Sequence, residues 1–402
     1  MCDGVSLADI AAAVGTPVYV YSAETIRRRF GTLDRAFAGY PHAIHYALKA
    51  NSTLAIARLL REQGSAADAN SIWEIEVALA AGFAPSQIVF TGVGKSSTEL
   101  ERAVGLGVKA INVESEGELS RVEALAAAIG VTARVAIRIN PDIDAKSHPH
   151  ISTGLKVNKF GVAFADAQDL FASLASRPSL KLVGVHVHVG SQITLLEPFQ
   201  RAAALLADTV DALAAAGHAL EYVDIGGGLG ISYDGGPVVS AADYANVFIG
   251  PLRKSGLPLV VEPGRSLVGP AAVLLGRVVD IKPRDAGSDF AVIDAGMTEL
   301  MRPALYGAYH RIDAVQPRSD EERRYEIAGP VCESSDVVGR DRVLPRLAVG
   351  DLLAIRDAGA YGSVMASNYN RRPLPPEVLV DAGAWRVIRR RQSVEDLLAM
   401  ER

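Results

Sequence analysis

Short apolar runs alternate with amphipathic segments along the first two thirds of the chain, a pattern typical of parallel strands joined by helices. The apolar runs predict eight strands, at residues 43–50, 65–70, 87–92, 109–115, 134–141, 182–190, 222–228 and 258–264. Segments with helical spacing lie between most of them, as at residues 53–64, 99–107, 116–130 and 199–217. A doubly wound open sheet alternates in the same way, but eight regular units favour closure. The sequence therefore predicts an α/β fold with a (β/α)8 TIM-like barrel.

The pattern changes after about residue 270, where strands alternate with turn residues and helical spacing is scarce. Strands are predicted within residues 271–283, 289–296, 323–334 and 351–359. The run PVYVYS at residues 17–22 is also strand-like and precedes the first barrel helix. We therefore expect a barrel domain at residues 23–270 and a mainly-β C-terminal domain at residues 271–402, completed by the N-terminal residues 1–22.

The composition is ordinary for a globular enzyme and disfavours several other classes of protein. Of the 402 residues, 49% are hydrophobic and 22% are charged, and the net charge of -5 offers no basic surface for nucleic acid. The start of the chain does not resemble a signal peptide, and no apolar stretch is long enough to span a bilayer. The two cysteines, Cys2 and Cys332, form no disulfide framework, which suits a reducing compartment. We expect a cytoplasmic enzyme with a small-molecule substrate and no nucleic-acid or membrane partner.

Polar or glycine residues end most of the predicted barrel strands, where the active sites of such barrels lie. They are Lys49, Asp68, Asn112, Arg138, His188, Gly226–Gly228 and Glu262. Lys49 has two interpretations: it projects into solvent from the strand end, or it is a nucleophilic amine inside the site. His186 lies two residues before His188 on the same strand, and we interpret it as a core histidine. The number of such strand ends predicts a site at this end of the barrel.

Two further segments define what this site is expected to bind. The three successive glycines of DIGGGLG, residues 224–230, form either a tight turn or a nest of N–H groups for a phosphate, to which Ser191 can also donate. In VEPGR, residues 261–265, Glu262 either pairs with Arg265 or faces a ligand. An amine, an anion cradle and a carboxylate together suit the aldehyde, the phosphate and the ring nitrogen of pyridoxal 5′-phosphate. His188 is then expected against the face of the ring. The motifs predict no metal site.

Eight short motifs occur in a fixed order along nearly the whole chain. They are YALKAN (46–51), NPDIDAKSHPHISTGLKVNKFG (140–161), HVHVGSQI (186–193), DIGGGLG (224–230), VEPGRSLVGPA (261–271), DAGMTELMRPALYGAYH (294–310), GPVCESSD (329–336) and DAGAYG (357–362). In this order and at these spacings the chain resembles the diaminopimelate decarboxylases, within the alanine-racemase and ornithine-decarboxylase-like group of pyridoxal-phosphate enzymes. The resemblance implies decarboxylation of meso-2,6-diaminopimelate to L-lysine and carbon dioxide, the last step of lysine biosynthesis.

The resemblance also implies a role for each matching residue. The implied cofactor contacts are Lys49, Asp68, His188, Ser191, Gly226, Gly227, Gly228, Glu262, Gly264, Arg265 and Tyr361. Among these, Lys49 bonds to the aldehyde, His188 stacks on the ring and Glu262 partners the ring nitrogen. The implied substrate contacts are Arg265, Arg302, Tyr306, Glu333 and Tyr361, and Cys332 is the implied general acid. The segment CES of this family enters the partner subunit, so a homodimer with shared active sites is implied.

Physical chemistry agrees with the implied substrate, because a diamino-dicarboxylate offers a distal carboxylate to Arg302 and a distal amine to Glu333. Alternatives stay open at this point. Arg302 fits a surface helix with a salt bridge, and Cys332 fits an inert buried thiol. The chain also fits a same-fold decarboxylase of ornithine, arginine or carboxynorspermidine, a regulatory relative without activity, or a barrel enzyme that binds a phosphorylated metabolite without a cofactor. Ile72 and Trp73 stand where small residues are expected, and the sequence leaves open whether they alter the packing near the second strand.

Overall fold

The structure is a computed structural model of the 402-residue chain, and it describes residues 1–144, 154 and 158–402. The helices are α1 Leu7–Val14, α2 Ala23–Phe37, α3 Leu54–Glu62, α4 Ile72–Ala81, α5 Ser97–Leu106, α6 Glu116–Ile129, α7 Phe164–Ser173, α8 Glu197–Ala215, α9 Ala241–Leu252, α10 Arg265–Val268, α11 Arg302–Tyr306 and α12 Val394–Leu398. The strands in the first part of the chain are β1 Val18–Ser22, β2 His42–Ala47, β3 Ala66–Ala69, β4 Ile88–Phe90, β5 Ala110–Val113, β6 Ala133–Asn140, β7 Val162–Ala163, β8 Leu180–Val187, β9 Tyr222–Asp224 and β10 Leu259–Val261. Those that follow are β11 Ala272–Lys282, β12 Asp289–Ile293, β13 Ile312–Ala314, β14 Glu322–Ala328, β15 Val337–Pro345, β16 Leu352–Ile355, β17 Glu377–Asp381 and β18 Ala384–Arg389.

Eight parallel strands close into a barrel, in the order β2, β3, β4, β5, β6, β8, β9 and β10. The ring closes because β10 pairs with β2, where Val260 lies opposite Ala43. The short β7 pairs with the end of β6. The barrel strands are buried along most of their length, as expected for a parallel sheet with both faces covered. The predicted (β/α)8 barrel is confirmed.

The barrel helices begin and end where the sequence provides capping residues. Ser71, Ser96 and Ser115 precede α4, α5 and α6, and each side chain accepts a hydrogen bond from the backbone N–H three residues further on. The same helices end at glycines in the left-handed conformation, which are Gly82, Gly107 and Gly130. These caps satisfy backbone groups that a helix leaves unpaired at its ends.

A second sheet is predominantly antiparallel and has the order β15, β14, β12, β11, β1, β17 and β18, with β16 paired to both β11 and β13. The N-terminal strand β1 lies inside it, antiparallel to β11 and parallel to β17. One core cluster joins this sheet to α1, and its buried members are Leu7, Ile10, Ala11, Val18, Val20, Leu275, Leu352, Ala354, Val378 and Val380. Strands from both ends of the chain therefore share one core.

The chain divides into two compact units. The barrel unit contains Arg29–Ile231 and Pro237–Ser266, and the β unit contains Met1–Arg28, Ser232–Gly236 and Leu267–Arg402. The domain limits expected from the sequence, 23–270 and 271–402 with 1–22, stay a prediction. Within the described ranges, no helix has both the length and the apolar character needed to cross a membrane.

The first barrel strand is shorter than predicted. Strand β2 ends at Ala47, and Leu48–Ala50 form a single 3-10 turn. Lys49 therefore lies on this turn, beyond the carboxyl end of the strand. This turn ends the strand because the chain must leave the barrel before α3 begins at Leu54.

The strands before His188 and before the glycine run are also shorter than predicted. Strand β8 ends at Val187, and β9 ends at Asp224. Gly226 and Gly228 have φ angles of 65° and 99°, which are incompatible with a strand and favour glycine. The chemistry-bearing residues thus lie in loops at the carboxyl ends of the strands.

Candidate active site

Lys49 points to a buried carboxyl group of the next barrel strand. Its Nζ lies 3.2 Å from Oδ2 of Asp68 and 3.3 Å from Oδ1 of Asn70. The Asp68 side chain is fully buried, and burial followed by the nearby charge of Glu262 raises the pKa of Asp68. Lys49 itself is 30% exposed. An amine that faces a buried carboxyl group is not a lysine that merely projects into solvent, so the geometry favours the interpretation of Lys49 as a site residue.

Glu262 follows β10 and binds a histidine rather than standing alone. Its Oε2 lies 3.2 Å from Nε2 of His186, and both side chains are almost completely buried. Thr91 donates to the other carboxylate oxygen at 3.5 Å. Burial raises the pKa of Glu262, but His186 and Lys49 outweigh burial and bring it below the ordinary value. His186 is therefore buried, as a core histidine would be, and in addition it is a polar partner of Glu262, which the sequence did not reveal.

Asp224 is the third buried carboxyl group at this end of the barrel. Its Oδ1 accepts a hydrogen bond of 2.9 Å from the N–H of Gly226. Burial and then the charge of Glu262 raise the pKa of Asp224 well above its ordinary value. The shifts thus make Glu262 the most acidic of the three groups, with Asp68 and Asp224 both raised. Among the described residues, potential metal-ligand atoms of His186, Asp224 and Glu262 lie within 4.8 Å of one another. This spacing also suits a metal ion.

His188 lies against the glycine run. The N–H of Gly227 donates to Nδ1 of His188 at 3.1 Å. Burial and then the charge of Lys49 lower the pKa of His188 well below its usual value, so the ring is neutral at physiological pH. A neutral imidazole presents a flat, uncharged face, which suits stacking against an aromatic ring.

The glycine run has no room for side chains. A Cβ on Gly226, Gly227 or Gly228 would lie 2.4, 2.2 or 2.6 Å from a backbone oxygen. Only glycine therefore allows these loops to approach one another, with backbone N–H groups in place of side chains.

Ser191 and Arg265 meet beside these loops. The Nη2 of Arg265 donates to Oγ of Ser191 at 3.0 Å, and the Arg265 side chain is largely buried. A Cβ on Gly264 would lie 2.8 Å from the Cβ of Ala50, on the turn that carries Lys49. A guanidinium and a hydroxyl held together are suitable donors for an anion.

In the β unit, Arg302 and Tyr306 begin and end the short helix α11. Arg302 is only 5% exposed, so the interpretation as a surface helix with a salt bridge is wrong. Its Nη1 lies 2.7 Å from Nε2 of His310, a residue that is fully buried. The guanidinium is thus a buried cation with an imidazole among its contacts.

Cys332 and Glu333 follow β14 in an exposed turn of the β unit. Cys332 is a free, exposed thiol, so the interpretation as an inert buried thiol is wrong. Glu333 accepts a hydrogen bond of 2.6 Å from Oγ of Ser335. Because the thiol and the carboxylate are both accessible and lie in one turn, they can contact another molecule.

Tyr361 adopts a backbone conformation that is uncommon for its residue type. Its φ angle is 54°, in the left-handed region. A Cβ on Gly359 or Gly362, which flank it, would lie 1.9 or 2.4 Å from a backbone oxygen. A strained residue held by such tight packing is typical of a functional site.

One quoted motif falls mostly outside the described residues. Of residues 140–161, the structure describes 140–144, 154 and 158–161. Within the described part, Glu114 accepts a hydrogen bond of 2.7 Å from the N–H of Gly161 and pairs with Arg138 at 2.6 Å.

The barrel unit fits a cofactor with an aldehyde, an anionic group and a basic ring nitrogen. It brings together an amine, a buried ionised carboxylate, a neutral imidazole and a loop cradle that excludes side chains. Among the buried polar atoms of the described residues that make no hydrogen bond are Oδ1 of Asp68, Nδ1 of His186 and Oδ2 of Asp224. Together with the closed barrel, these features define the class of pyridoxal-phosphate-dependent enzymes.

Comparisons with known proteins give the family. The family model described as pyridoxal-dependent decarboxylase, pyridoxal binding domain, matches residues 23–269. The diaminopimelate decarboxylase of Pseudomonas aeruginosa is 47% identical over 399 residues, which cover 99% of this chain and 96% of that protein. The chain thus belongs to the diaminopimelate decarboxylase family, and it is a carboxy-lyase that uses pyridoxal 5′-phosphate, as the motifs predicted.

Two solved structures support the same assignment. The crystal structure of diaminopimelate decarboxylase from Helicobacter pylori complexed with L-lysine is 43% identical, with a TM-score of 0.95 and coverage of 98% of both chains. The enzyme from M. jannaschii in co-complex with L-lysine is 38% identical, with a TM-score of 0.94 and coverage of 100% of this chain and 99% of that chain. The fold is therefore shared over the whole length.

Proposed function

We propose that this enzyme decarboxylates meso-2,6-diaminopimelate at its D-centre to give L-lysine and carbon dioxide. The observation that carries the proposal is Arg302, a guanidinium that is 5% exposed and rests on an uncharged imidazole. A guanidinium held in this way presents parallel N–H donors that are suited to a carboxylate of the substrate. The relatives solved with L-lysine support the proposal, because lysine retains the distal carboxylate and is the product of this reaction.

We assign the cofactor contacts to residues of the barrel unit and to Tyr361 of the β unit. Lys49 would bond to the aldehyde, His188 would lie on the ring, and Glu262 would hold the proton of the ring nitrogen. The phosphate would be held by Ser191, Gly226, Gly227, Gly228, Gly264 and Arg265, with Tyr361 and Asp68 completing the contacts. The pyridinium ring, when bound, supplies an electron sink for the bond that breaks. The lowered pKa of Glu262 keeps it ionised, so that it can balance the charge of the protonated ring nitrogen.

We assign the substrate contacts to Arg265, Arg302, Tyr306, Glu333 and Tyr361. The guanidinium of Arg302 would bind the distal carboxylate, and the carboxylate of Glu333 would bind the distal ammonium group. Binding both groups fixes the bond to the departing carboxylate in one orientation, which lowers the entropic barrier. As carbon dioxide leaves, its bonding electron pair stays with the substrate, and Cys332 would donate the proton of its Sγ to the α-carbon.

A panel of three substrates tests the proposal. Carbon dioxide release should be rapid with meso-diaminopimelate and much slower with ornithine or arginine, since neither offers a distal carboxylate to Arg302. Loss of a charge-assisted contact costs about 1.5–3 kcal/mol, so Arg302→Ala should lower kcat/KM for meso-diaminopimelate at least about tenfold. Equal turnover of ornithine and meso-diaminopimelate, or an Arg302→Ala variant with full kcat/KM, would show that the substrate is wrongly assigned.

We also propose a cytoplasmic homodimer in which Cys332 and Glu333 of one subunit complete the site of the other. The exposure of both side chains and the free thiol of Cys332 support this proposal. Mixing inactive Lys49→Ala subunits with inactive Cys332→Ala subunits should restore part of the activity, because each mixed dimer holds one intact site. Sites built within one chain would give no recovery after subunit exchange has been verified by mass spectrometry.

A further inference from the structure

Arg302 is held by two side chains that have no assigned role. His310 binds its guanidinium at 2.7 Å. Tyr233 lies beneath it, with the guanidinium carbon 4.6 Å from the centre of the phenol ring. The rings of Tyr233 and His310 also meet edge to face, with centroids 5.1 Å apart and planes at 73°. All three residues belong to the β unit, so these contacts lie within one compact body.

The protonation of His310 follows from its two partners. An arginine nitrogen can only donate, so Nε2 of His310 accepts the hydrogen bond from Arg302. The other ring nitrogen, Nδ1, lies 2.8 Å from the carbonyl oxygen of Arg356, which can only accept. His310 is therefore neutral, with its proton on Nδ1, and the carbonyl of Arg356 selects this tautomer.

The carbonyl that selects the tautomer is itself fixed by the sheet. Arg356 follows β16, and β16 pairs with β13, where Ile312 lies opposite Ile355. The backbone N–H of Arg356 donates to the carbonyl of Arg311 at 2.8 Å, and its Nε donates to Asp313 at 2.6 Å. A continuous chain of hydrogen bonds thus runs from the β13–β16 pair through His310 to Arg302.

We propose that His310 and Tyr233 are positioning residues that aim the guanidinium of Arg302, and that they thereby set the preference of this enzyme for ligands with a distal carboxylate. The imidazole fixes one edge of the guanidinium, because it accepts a hydrogen bond from an N–H group of Arg302 and is itself uncharged. The phenol ring fixes its plane through a cation–π contact. A carboxylate needs two parallel N–H donors, so the plane and the edge together decide whether the ligand fits. This inference rests on the proposed role of Arg302.

The test compares L-lysine with cadaverine, which differ only by the carboxylate. Calorimetric titration of the holoenzyme gives Kd for each ligand, and the ratio of the two Kd values isolates the carboxylate contact. His310→Leu should lower the preference for lysine about tenfold, since it removes a hydrogen bond to a charged group. His310→Gln should keep most of the preference, because its amide oxygen can accept from Arg302. Tyr233→Leu should lower the preference about threefold by removing the cation–π contact.

His42→Gln is the matched control. His42 also contacts a carbonyl oxygen, at 3.0 Å from Nδ1, and a charged side chain, Asp34 at 3.2 Å from Nε2. Asp34 accepts where Arg302 donates, and His42 lies at the start of β2 in the barrel unit. The His42→Gln substitution should leave the ratio of the Kd values for L-lysine and cadaverine unchanged. A role in folding alone would lower the melting temperature of the His310 variants and leave their ligand preference intact.

The following outcomes decide the inference. A wild-type ratio of Kd values in His310→Leu would overturn it. A loss of preference for L-lysine in His42→Gln as large as that in His310→Leu would also overturn it. If His310→Leu yields no folded holoenzyme, Tyr233→Leu decides alone, and a wild-type ratio there would overturn it as well. An Arg302→Ala variant that keeps the wild-type ratio would instead refute the proposed role of Arg302. Loss of the ratio in Arg302→Ala together with its retention in His310→Leu would refute only the positioning role.

Discussion

Gly227→Ala tests whether the glycine run is a cradle that tolerates no side chain. A Cβ at Gly227 would lie 2.2 Å from the carbonyl oxygen of Glu262 and 3.1 Å from its carbonyl carbon. The oxygen contact is about 1 Å closer than close packing allows, and both atoms belong to backbone that cannot swing away. The described left-handed glycines include Gly226 and Gly228 but not Gly227, so the effect is steric and not a matter of φ.

Relief of this overlap must move Glu262 or the glycine run, so both the affinity for the cofactor and the stability of the fold should decrease. Overpacking costs about 1–3 kcal/mol, and we expect Gly227→Ala to lose a similar amount of stability and at least about tenfold in affinity for pyridoxal 5′-phosphate. The assays are thermal melting of the apoprotein and a titration with the cofactor followed by absorbance. Gly105→Ala is the control, because Gly105 lies in α5 with no atom within 4 Å of a new Cβ, and there alanine should stabilise by about 0.5–1 kcal/mol. A Gly227→Ala protein that melts and binds the cofactor like the wild type would refute the cradle.

Two further predictions concern buried carboxyl groups. Glu262→Gln should retain the cofactor but lose about 100-fold in kcat, since a neutral amide cannot balance the charge of the ring; a variant with full kcat would contradict this role. Burial raises the pKa of Glu74 from 4.5 to about 7, so the folded state binds a proton more tightly than the unfolded state, and this contribution to stability is lost as the pH rises through 7. The melting temperature of Glu74→Gln should therefore fall less between pH 5 and pH 8 than that of the wild type. An equal fall in both proteins would contradict the raised pKa of Glu74.

The barrel was predictable because its signal is local. Each strand is a short apolar run next to an amphipathic segment, and in a parallel sheet the carboxyl ends of all strands meet at one end of the barrel. This rule alone placed Lys49, His188 and Glu262 together, and the structure places each of them just beyond a strand end. The exact strand ends were not predictable, because apolar residues continue into the turn at Leu48–Ala50.

The partners of the site residues were harder to predict, because they are distant in sequence. His186 alternates with His188 on one strand, which is also typical of core packing, and its partner Glu262 lies 76 residues further along the chain. A polar residue between two valines near the end of a buried strand was the available signal. The sequence also left open whether Trp73 alters the packing near the second strand, and in the structure Trp73 is 77% exposed on α4. A single sequence shows that a residue is large, and helix orientation decides whether it packs.

The contacts of Arg302 illustrate the same limit. The motif that contains it ends in His310, eight residues later, but Tyr233 comes from a segment between β9 and α9. Only the fold of the β unit brings Tyr233 against Arg302 of α11 and against His310. A contact of this kind leaves no periodic signal in the sequence.

The most direct measurement of the central claim is to identify the lysine that carries the cofactor. Borohydride reduction of the holoenzyme should bind pyridoxal phosphate irreversibly to the protein, and mass spectrometry of a proteolytic digest should find it on the peptide that contains Lys49. The same treatment of a Lys49→Ala variant should leave no labelled peptide. A label on any other lysine of the wild-type enzyme, or a labelled Lys49→Ala variant, would contradict the account.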